Sequence, residues 1–318
     1  MFLIDLPRDD IVIAGEKDDI EMLKQALGSV FPIKSFGEVT FYTGCAFNRD
    51  RKRGTLQITQ TAFVETLLRR FPVEGVRDTP SSSLDLDARR EDEPTGNWPY
   101  RQVVGSLMWL ANMTRPDIAN AVRAVARHAH NPSERHWRAV QRILMYLKSH
   151  KDWGITFQRG SQTGMCAYAD SDYAKREDDR KSISGGAVMF CGAAVSWFSR
   201  TQKCVTLSTT EAEYIALGEC TRELVFLRGV LEFMQPGMSL GTVPIYEDNM
   251  GAVNLAKNPV GSSRTKHIDV RHHFLRDLVK KGSIKVVHVD SEYQHADILT
   301  KALSKSIFRR HVETLMNV

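Results

Sequence analysis

Four acids stand where strands or helices begin or end: Asp170 in Tyr168-Ala169-Asp170-Ser171-Asp172, Glu213 in Thr210-Glu211-Ala212-Glu213, Asp248 in Tyr246-Glu247-Asp248, and Asp297 in His295-Ala296-Asp297-Ile298. Carboxylates gathered in one place repel one another unless cations neutralise them, and hard oxygen donors select Mg²⁺ or Mn²⁺. Two such ions, about 3.5–4 Å apart, can activate a water and stabilise the leaving oxygen of a phosphodiester. That chemistry requires four distant stretches to converge.

The elements that would position them can be read from periodicity. Cys166, Tyr168 and Asp170 alternate with Ala167 and Ala169, which predicts a strand with a carboxylate at its C-terminal end. Residues 184–191 and 194–199 are apolar and β-prone around a Cys191-Gly192 turn, so they predict a hairpin returning beside that strand. A helix opens after Ser208. With Ser208 as N-cap, Glu211 is the N3 residue of a capping box, and Glu213 shares a face with Leu217, Cys220 and Leu224. Val243 to Asp248 predicts a short strand ending in an acid, with a helix following through Ala252 to Ala256. Residues 284–289 predict another strand, and Asp297 falls in the first turns of a final helix from His295 to Lys301. Taken singly, each acid has a plainer role. Asp170 serves as a strand-end turn residue, Asp248 as a helix N-cap, and Asp297 as a first-turn acid complementing the helix dipole.

The runs YADSDYA, SISGGAVMF, VSWFSRTQK, LSTTEAEYIAL, EDN, SRTKHIDVRHHF and ADILTKAL follow one another across residues 165–304. As a set they resemble the ribonuclease H domain of copia-type LTR retrotransposon Pol polyproteins. The resemblance implies an α/β fold: a ribonuclease H-like mixed sheet with helices on both faces. It makes Asp170, Glu213, Asp248 and Asp297 the catalytic ligands of two Mg²⁺ or Mn²⁺ ions. It also implies endonucleolytic cleavage of the RNA strand of an RNA/DNA hybrid, leaving 5′-phosphate and 3′-hydroxyl ends.

Further upstream, YRQVVGSLMWLANMTRPDIANAV and HWRAVQRILMYLK resemble the same family's connection segment. Residues 1–74 resemble the end of the polymerase palm and the start of the thumb, with Pro7-Arg8-Asp9-Asp10 standing where the family has a YVDD turn. Pro7 removes a ladder donor there, so Asp9 and Asp10 read as solvated turn acids. The family's third polymerase aspartate and its fingers lie upstream of this chain's first residue, so no reverse transcriptase activity is expected. The resulting division is 1–74 a truncated palm and thumb remnant, 75–98 a polar linker, 99–158 a helical connection and 159–318 the ribonuclease H domain. The alternative to a working nuclease is a catalytically silent transposon relic that folds and binds nucleic acid.

Length and composition bound these readings. At 318 residues the chain holds about two units, at roughly 150 residues per domain. Its 42% hydrophobic and 25% charged residues describe a globular protein, and no apolar run approaches the roughly 20 residues of a membrane span. A cytoplasmic or nuclear location is expected, with no small-molecule cofactor. The net charge of +5 permits a nucleic-acid partner without requiring one. Arg200, Lys203, Arg264, Lys266 and Arg271 are the candidates for holding substrate phosphate. His267, His272 and His273 lack cysteine partners or HExxH spacing, which argues against zinc. Neither His288 nor His295 clearly matches the loop histidine that other ribonuclease H groups use as a proton shuttle.

The first 70 residues predict strands at 11–15, 39–47 and 55–58 and helices at 17–27 and 59–70, and the connection predicts helices at 102–113, 116–130 and 133–149. In the last of these, Arg135, Arg138 and Arg142 lie opposite the apolar stripe, as a solvated face or a phosphate-tracking one. The five cysteines have no paired spacing and read as reduced thiols.

Overall fold

Two antiparallel strands, β1 (Leu3–Asp5) and β2 (Val12–Ala14), lead into the helix α1 (Lys17–Gly28). Residues 3–5, 11–82, 86–161, 164–174, 179–257 and 269–318 are described by the computed structural model, so Asp9, Asp10, Arg264, Lys266 and His267 lie outside the described residues. The single strand expected over 39–47 is instead two. Thr43 and Gly44 both take left-handed backbone conformations (φ 46° and 81°) and fold β3 (Phe41–Tyr42) onto β4 (Cys45–Asp50). β4 pairs with β5 (Thr55–Thr59), which is followed by α2 (Thr61–Arg70).

Three helices come next: α3 (Tyr100–Met113), α4 (Ala119–Ala126) and α5 (Glu134–Ser149). The helix expected over 116–130 is divided, because Pro116–Ile118 forms a 3₁₀ turn before α4. Ser133 caps α5 as expected, but His136 rather than an acid returns the second bond, its Nδ1 accepting from the Ser133 N–H at 2.9 Å. Segment 75–98 forms no regular element among its described residues, yet α5 straps it down. Arg135 bonds Glu93 at 2.6 Å and the carbonyls of Asp87 and Ala88, and Arg142 bonds Thr79 at 2.9 Å. With Arg138 bonded to Glu134 at 2.7 Å, all three arginines on the polar face of α5 are taken by the protein's own chain. A buried ion pair, Arg115 to Asp117 at 2.7 Å, joined by the Tyr146 hydroxyl at 2.6 Å, locks the turn before α4 to α5.

β6 (Gly154–Gln158) then closes the first sheet, order β3-β4-β5-β6, by pairing with β5. The second sheet contains β7 (Cys166–Asp172), β8 (Ile183–Phe190), β9 (Ala193–Thr201), β10 (Val243–Glu247) and β11 (Ile284–His288), in the order β11-β10-β7-β8-β9. β7, β8 and β9 form an antiparallel meander, turned by Cys191 and Gly192 at φ 52° and 83°. β10 and β11 run parallel to β7. Parallel pairing demands crossovers, and α6 (Thr209–Met234), α7 (Met250–Lys257) and α8 (Asp269–Lys280) supply them. α9 (Lys305–Met316) follows the last strand.

Helices cover both faces of this sheet. On one, Ala167, Ala169, Ile245 and Val286 pack with Tyr214, Leu217, Cys220 and Leu224 of α6. On the other, Ala187, Met189 and Ala194 join Phe308, Val312 and Leu315 of α9 and continue into Leu107, Leu110, Ile143 and Leu144 of the helical segment. The architecture is the expected ribonuclease H-like mixed sheet, and its second face shares one core with the helices that precede it. No helix among the described residues is long and apolar enough to cross a membrane.

Candidate active site

Asp170 is not a strand-end turn residue: it lies inside β7, paired with Gly185, and is 1% exposed. Its partner glycine makes the site possible. A methyl group at Gly185 would meet Leu299 Cβ at 2.9 Å and the Ala296 carbonyl at 3.2 Å, so only a glycine lets the turn carrying Asp297 lie directly on β8. That turn is a short 3₁₀ helix, His295–Leu299, separate from the final helix α9; the continuous helix expected over 295–301 is absent. Gln294 anchors it, its amide donating to the Ala169 carbonyl at 2.9 Å while its own oxygen accepts from the Ala296 N–H. Burial forces this, because polar groups at the ends of β7 and β10 must find partners.

Glu213 arrives from the opposite face. Ser208 caps α6 by accepting from the Glu211 N–H at 3.2 Å, and the Glu211 carboxylate reaches back to the Leu207 N–H at 2.8 Å. The expected box forms, with its return bond one residue further out. Glu213 lies on the buried stripe with Leu217, Cys220 and Leu224 and is itself 7% exposed. Gln202 fixes the start of the helix by bonding Ser184 Oγ at 3.0 Å and the Ala212 carbonyl at 2.9 Å.

Asp248 follows β10 directly. The cap of α7 is Asn249, whose Oδ1 accepts from the Ala252 N–H at 3.0 Å, so Asp248 is not spent on capping. The Ser291 hydroxyl donates to Asp248 Oδ2 at 2.8 Å.

The side chains converge in two overlapping sets. Asp170, Asp248 and Asp297 each offer an oxygen within 4.8 Å of the others, and so do Glu213, Glu247 and Asp248. All four predicted acids therefore meet at the C-terminal edge of β7 and β10. The electrostatics follow from burying so many carboxylates together. Burial, with Asp170 and Asp248 nearby, pushes the Glu213 carboxyl up to about 9. Burial likewise holds Asp170, Glu247 and Asp297 above the usual carboxylate range.

One cation lies in the cluster. Lys301 Nζ is 3.0 Å from Asp297 Oδ1 and 3.7 Å from Asp170 Oδ1, and the Thr300 hydroxyl donates to Asp170 Oδ2. Burial works against the Lys301 ammonium, but Asp170 and Asp297 hold its pKa above the ordinary value.

Sequence reasoning missed Glu247, Lys301 and Gln294. Glu247 was detectable as an acid on the inward parity of Val243 and Ile245, and Lys301 as a base four residues after Asp297.

The basic candidates are less gathered. Ser199 stands level with Asp170 across β8, and Arg200 is one residue further on, roughly two strand spacings or about 10 Å away across the sheet. Arg200 bonds Glu223 at 3.2 Å and lies over the Phe198 ring. Lys203 is exposed just beyond β9. Arg271 falls on α8, with its side chain outside the described residues, as do those of His272 and His273. Of the histidines, His288 approaches the Asp248 carbonyl at 3.1 Å and is exposed. His295 turns inward, Nδ1 to Nδ1 with His311 at 3.0 Å.

No family model matches the chain. The "Retrovirus-related Pol polyprotein from transposon TNT 1-94" of Nicotiana tabacum is 38% identical over 310 residues, 94% of this chain and 23% of that protein. The corresponding protein from transposon RE2 of Arabidopsis thaliana is 35% identical over 308 residues, 95% of this chain and 21% of that one. Among solved structures, LC11-RNase H1 isolated from compost is 18% identical, with a TM-score of 0.34, over 43% of this chain and 92% of that one. At that score the likeness adds nothing to what the strand order already shows. The chain spans about a fifth of the length of the curated relatives it matches. With nearly its whole length aligned to them, the chain belongs to the copia-type retrovirus-related Pol polyproteins of transposons.

Proposed function

We propose that this chain is a ribonuclease H-type nuclease, a metal-dependent endonuclease that cuts the RNA strand of RNA/DNA hybrids. The observation that carries the reading is the meeting of Asp170, Glu213, Asp248 and Asp297, from four separate elements, at one sheet edge. The donor set is all carboxylate oxygen, which suits Mg²⁺ or Mn²⁺ and not a soft metal. The fit is supported by buried oxygens without partners: among the described residues, Glu213 Oε2 and Glu247 Oε2 have no hydrogen bond. When bound, two such ions supply activation of the attacking water and stabilisation of the leaving 3′ oxygen.

The chain's own residues do the rest. Thr300 and Gln294 fix Asp170 and the 295–299 turn, Ser291 orients Asp248, and the capped start of α6 aims Glu213. Carboxylates fixed in this way need not reorganise as charge develops in the reaction. Residues 159–318 form the nuclease unit in this reading, 99–158 the connection and 1–74 a palm and thumb segment, with 75–98 between them. Arg200, Lys203, Arg264, Lys266 and Arg271 are assigned to strand phosphates, and the site of action is the cytoplasm or nucleus.

Purified protein with Mg²⁺ is expected to cut a labelled RNA/DNA hybrid and to leave duplex DNA of the same sequence intact. Equal cleavage of both, or full activity in EDTA, overturns the assignment.

A further inference from the structure

β10 presents Val243, Ile245 and Glu247 to the face covered by α6, and the first two are core residues. A third apolar residue would fit the pattern. Instead Glu247 is fully buried, and a buried carboxylate is costly unless something compensates it. The Asn249 N–H donates to Glu247 Oε1 at 3.0 Å, and that is the only compensation within the protein among the described residues. Glu247 Oε2 has no hydrogen-bond partner, and neither does Glu213 Oε2, so the two carboxyl groups are not tied through these oxygens by a shared proton. Yet Glu213, Glu247 and Asp248 each offer an oxygen within 4.8 Å of the others. Oxygens bound to a small hard cation at about 2.1 Å stand roughly 3–4 Å apart, which this limit accommodates.

We propose that Glu247 is a fifth ligand acid. It holds a divalent cation with Glu213 and Asp248. The inference rests on the metal-dependent reading above, and it assigns the two ion seats to different residues. Glu247 lies beneath Glu213, on the α6 face of the sheet, and Lys301 lies with Asp170 and Asp297 on the other.

Titrating metal-free protein with Mn²⁺ alone, followed calorimetrically, tests the inference. The wild type is expected to take two ions. Glu247→Gln is expected to weaken one by about tenfold or more and to leave the other within about twofold. Asp297→Asn is expected to weaken the other ion instead. In EDTA, Glu247→Gln is expected to melt no lower than the wild type, because an amide replaces a buried, self-repelling carboxyl. A merely structural Glu247 would give the reverse, a lower melting temperature in EDTA with both Mn²⁺ affinities unchanged, and that overturns the proposal. If Glu247→Gln does not fold, Glu247→Asp decides. Retreat of the carboxylate by one methylene should weaken the same single ion, and unchanged binding of both overturns the assignment. A wild type that binds two ions insensitive to Glu247 sinks this inference alone, whereas a wild type that binds none sinks the metal-dependent reading with it.

Discussion

Lys301 Nζ sits 3.0 Å from Asp297 Oδ1, four residues along the chain, and among the described residues it is the cation of an otherwise acidic cluster. Without divalent ions, its single charge is what offsets Asp170 and Asp297. Lys301→Met is therefore expected to lower metal-free stability by about 1–3 kcal/mol, the range for leaving a buried acceptor unpaired. The loss should shrink when Mn²⁺ is added, because the ion replaces the missing charge. Thermal melting of both proteins in EDTA and in Mn²⁺ checks this, and an equal loss in the two conditions would contradict it.

The two acids of the α6 start have different work. Glu211 is spent on the Leu207 N–H, whereas Glu213 turns into the cluster. Glu213→Gln is expected to abolish hybrid cleavage with little loss of stability. Glu211→Gln should leave cleavage nearly intact, since an amide oxygen also accepts that bond, and Glu211→Ala should cost about 0.5–2 kcal/mol as a lost cap does. A dead Glu211→Gln beside an active Glu213→Gln would show the roles to be reversed.

The raised Glu213 carboxyl gives a pH signature. Burial, Asp170 and Asp248 push it up to about 9 from an ordinary 4.5. Between those values the folded, metal-free protein keeps a proton that the unfolded chain has lost, so metal-free stability falls as pH rises through that window. A cation needs the carboxylate, so binding expels the proton and Mn²⁺ affinity rises over the same window. Calorimetry in buffers of different ionisation enthalpy measures the released protons. An affinity that is flat with pH, with no proton release, would contradict the assignment.

Gly185 sets how closely the Asp297 turn approaches β8. Gly185→Ala drives a methyl into Leu299 Cβ and the Ala296 carbonyl and should cost about 1–3 kcal/mol, as overpacking does. Because the displaced turn carries Asp297, Mn²⁺ affinity should fall as well. Unchanged binding in a folded Gly185→Ala protein would show that the turn is not held by this contact.

Much of this arrangement was legible because local signals and global fold agree. Period-two alternation placed Asp170 on a strand, the Ser208 box fixed the register of α6, and Cys191-Gly192 marked the hairpin. What escaped depended on distant partners. Taken singly, Asp248 had the role of a cap open to it, which the structure gives to Asn249, and the final helix broke into a 3₁₀ turn because Gln294 ties its start to the Ala169 carbonyl. Arg135 and Arg142 read as part of a solvated or phosphate-tracking face, since nothing local shows that residues 79–93 return to meet them. Arg115 and Asp117 flank the proline of a predicted helix start and nothing local marks them as an ion pair in the core, where Tyr146, from a helix further on, bonds Asp117.

Asp248 belongs to both ligand sets, so its carboxylate carries the central claim most directly. The decisive measurement is cleavage of a labelled RNA/DNA hybrid in Mg²⁺ by wild type and by Asp248→Asn, each first shown to fold by circular dichroism. The account predicts rapid cutting of the RNA strand by the wild type, none in EDTA, and a loss of at least about a thousandfold in the variant, for an amide cannot give a hard ion its negative oxygen. Wild-type rates from folded Asp248→Asn would contradict it.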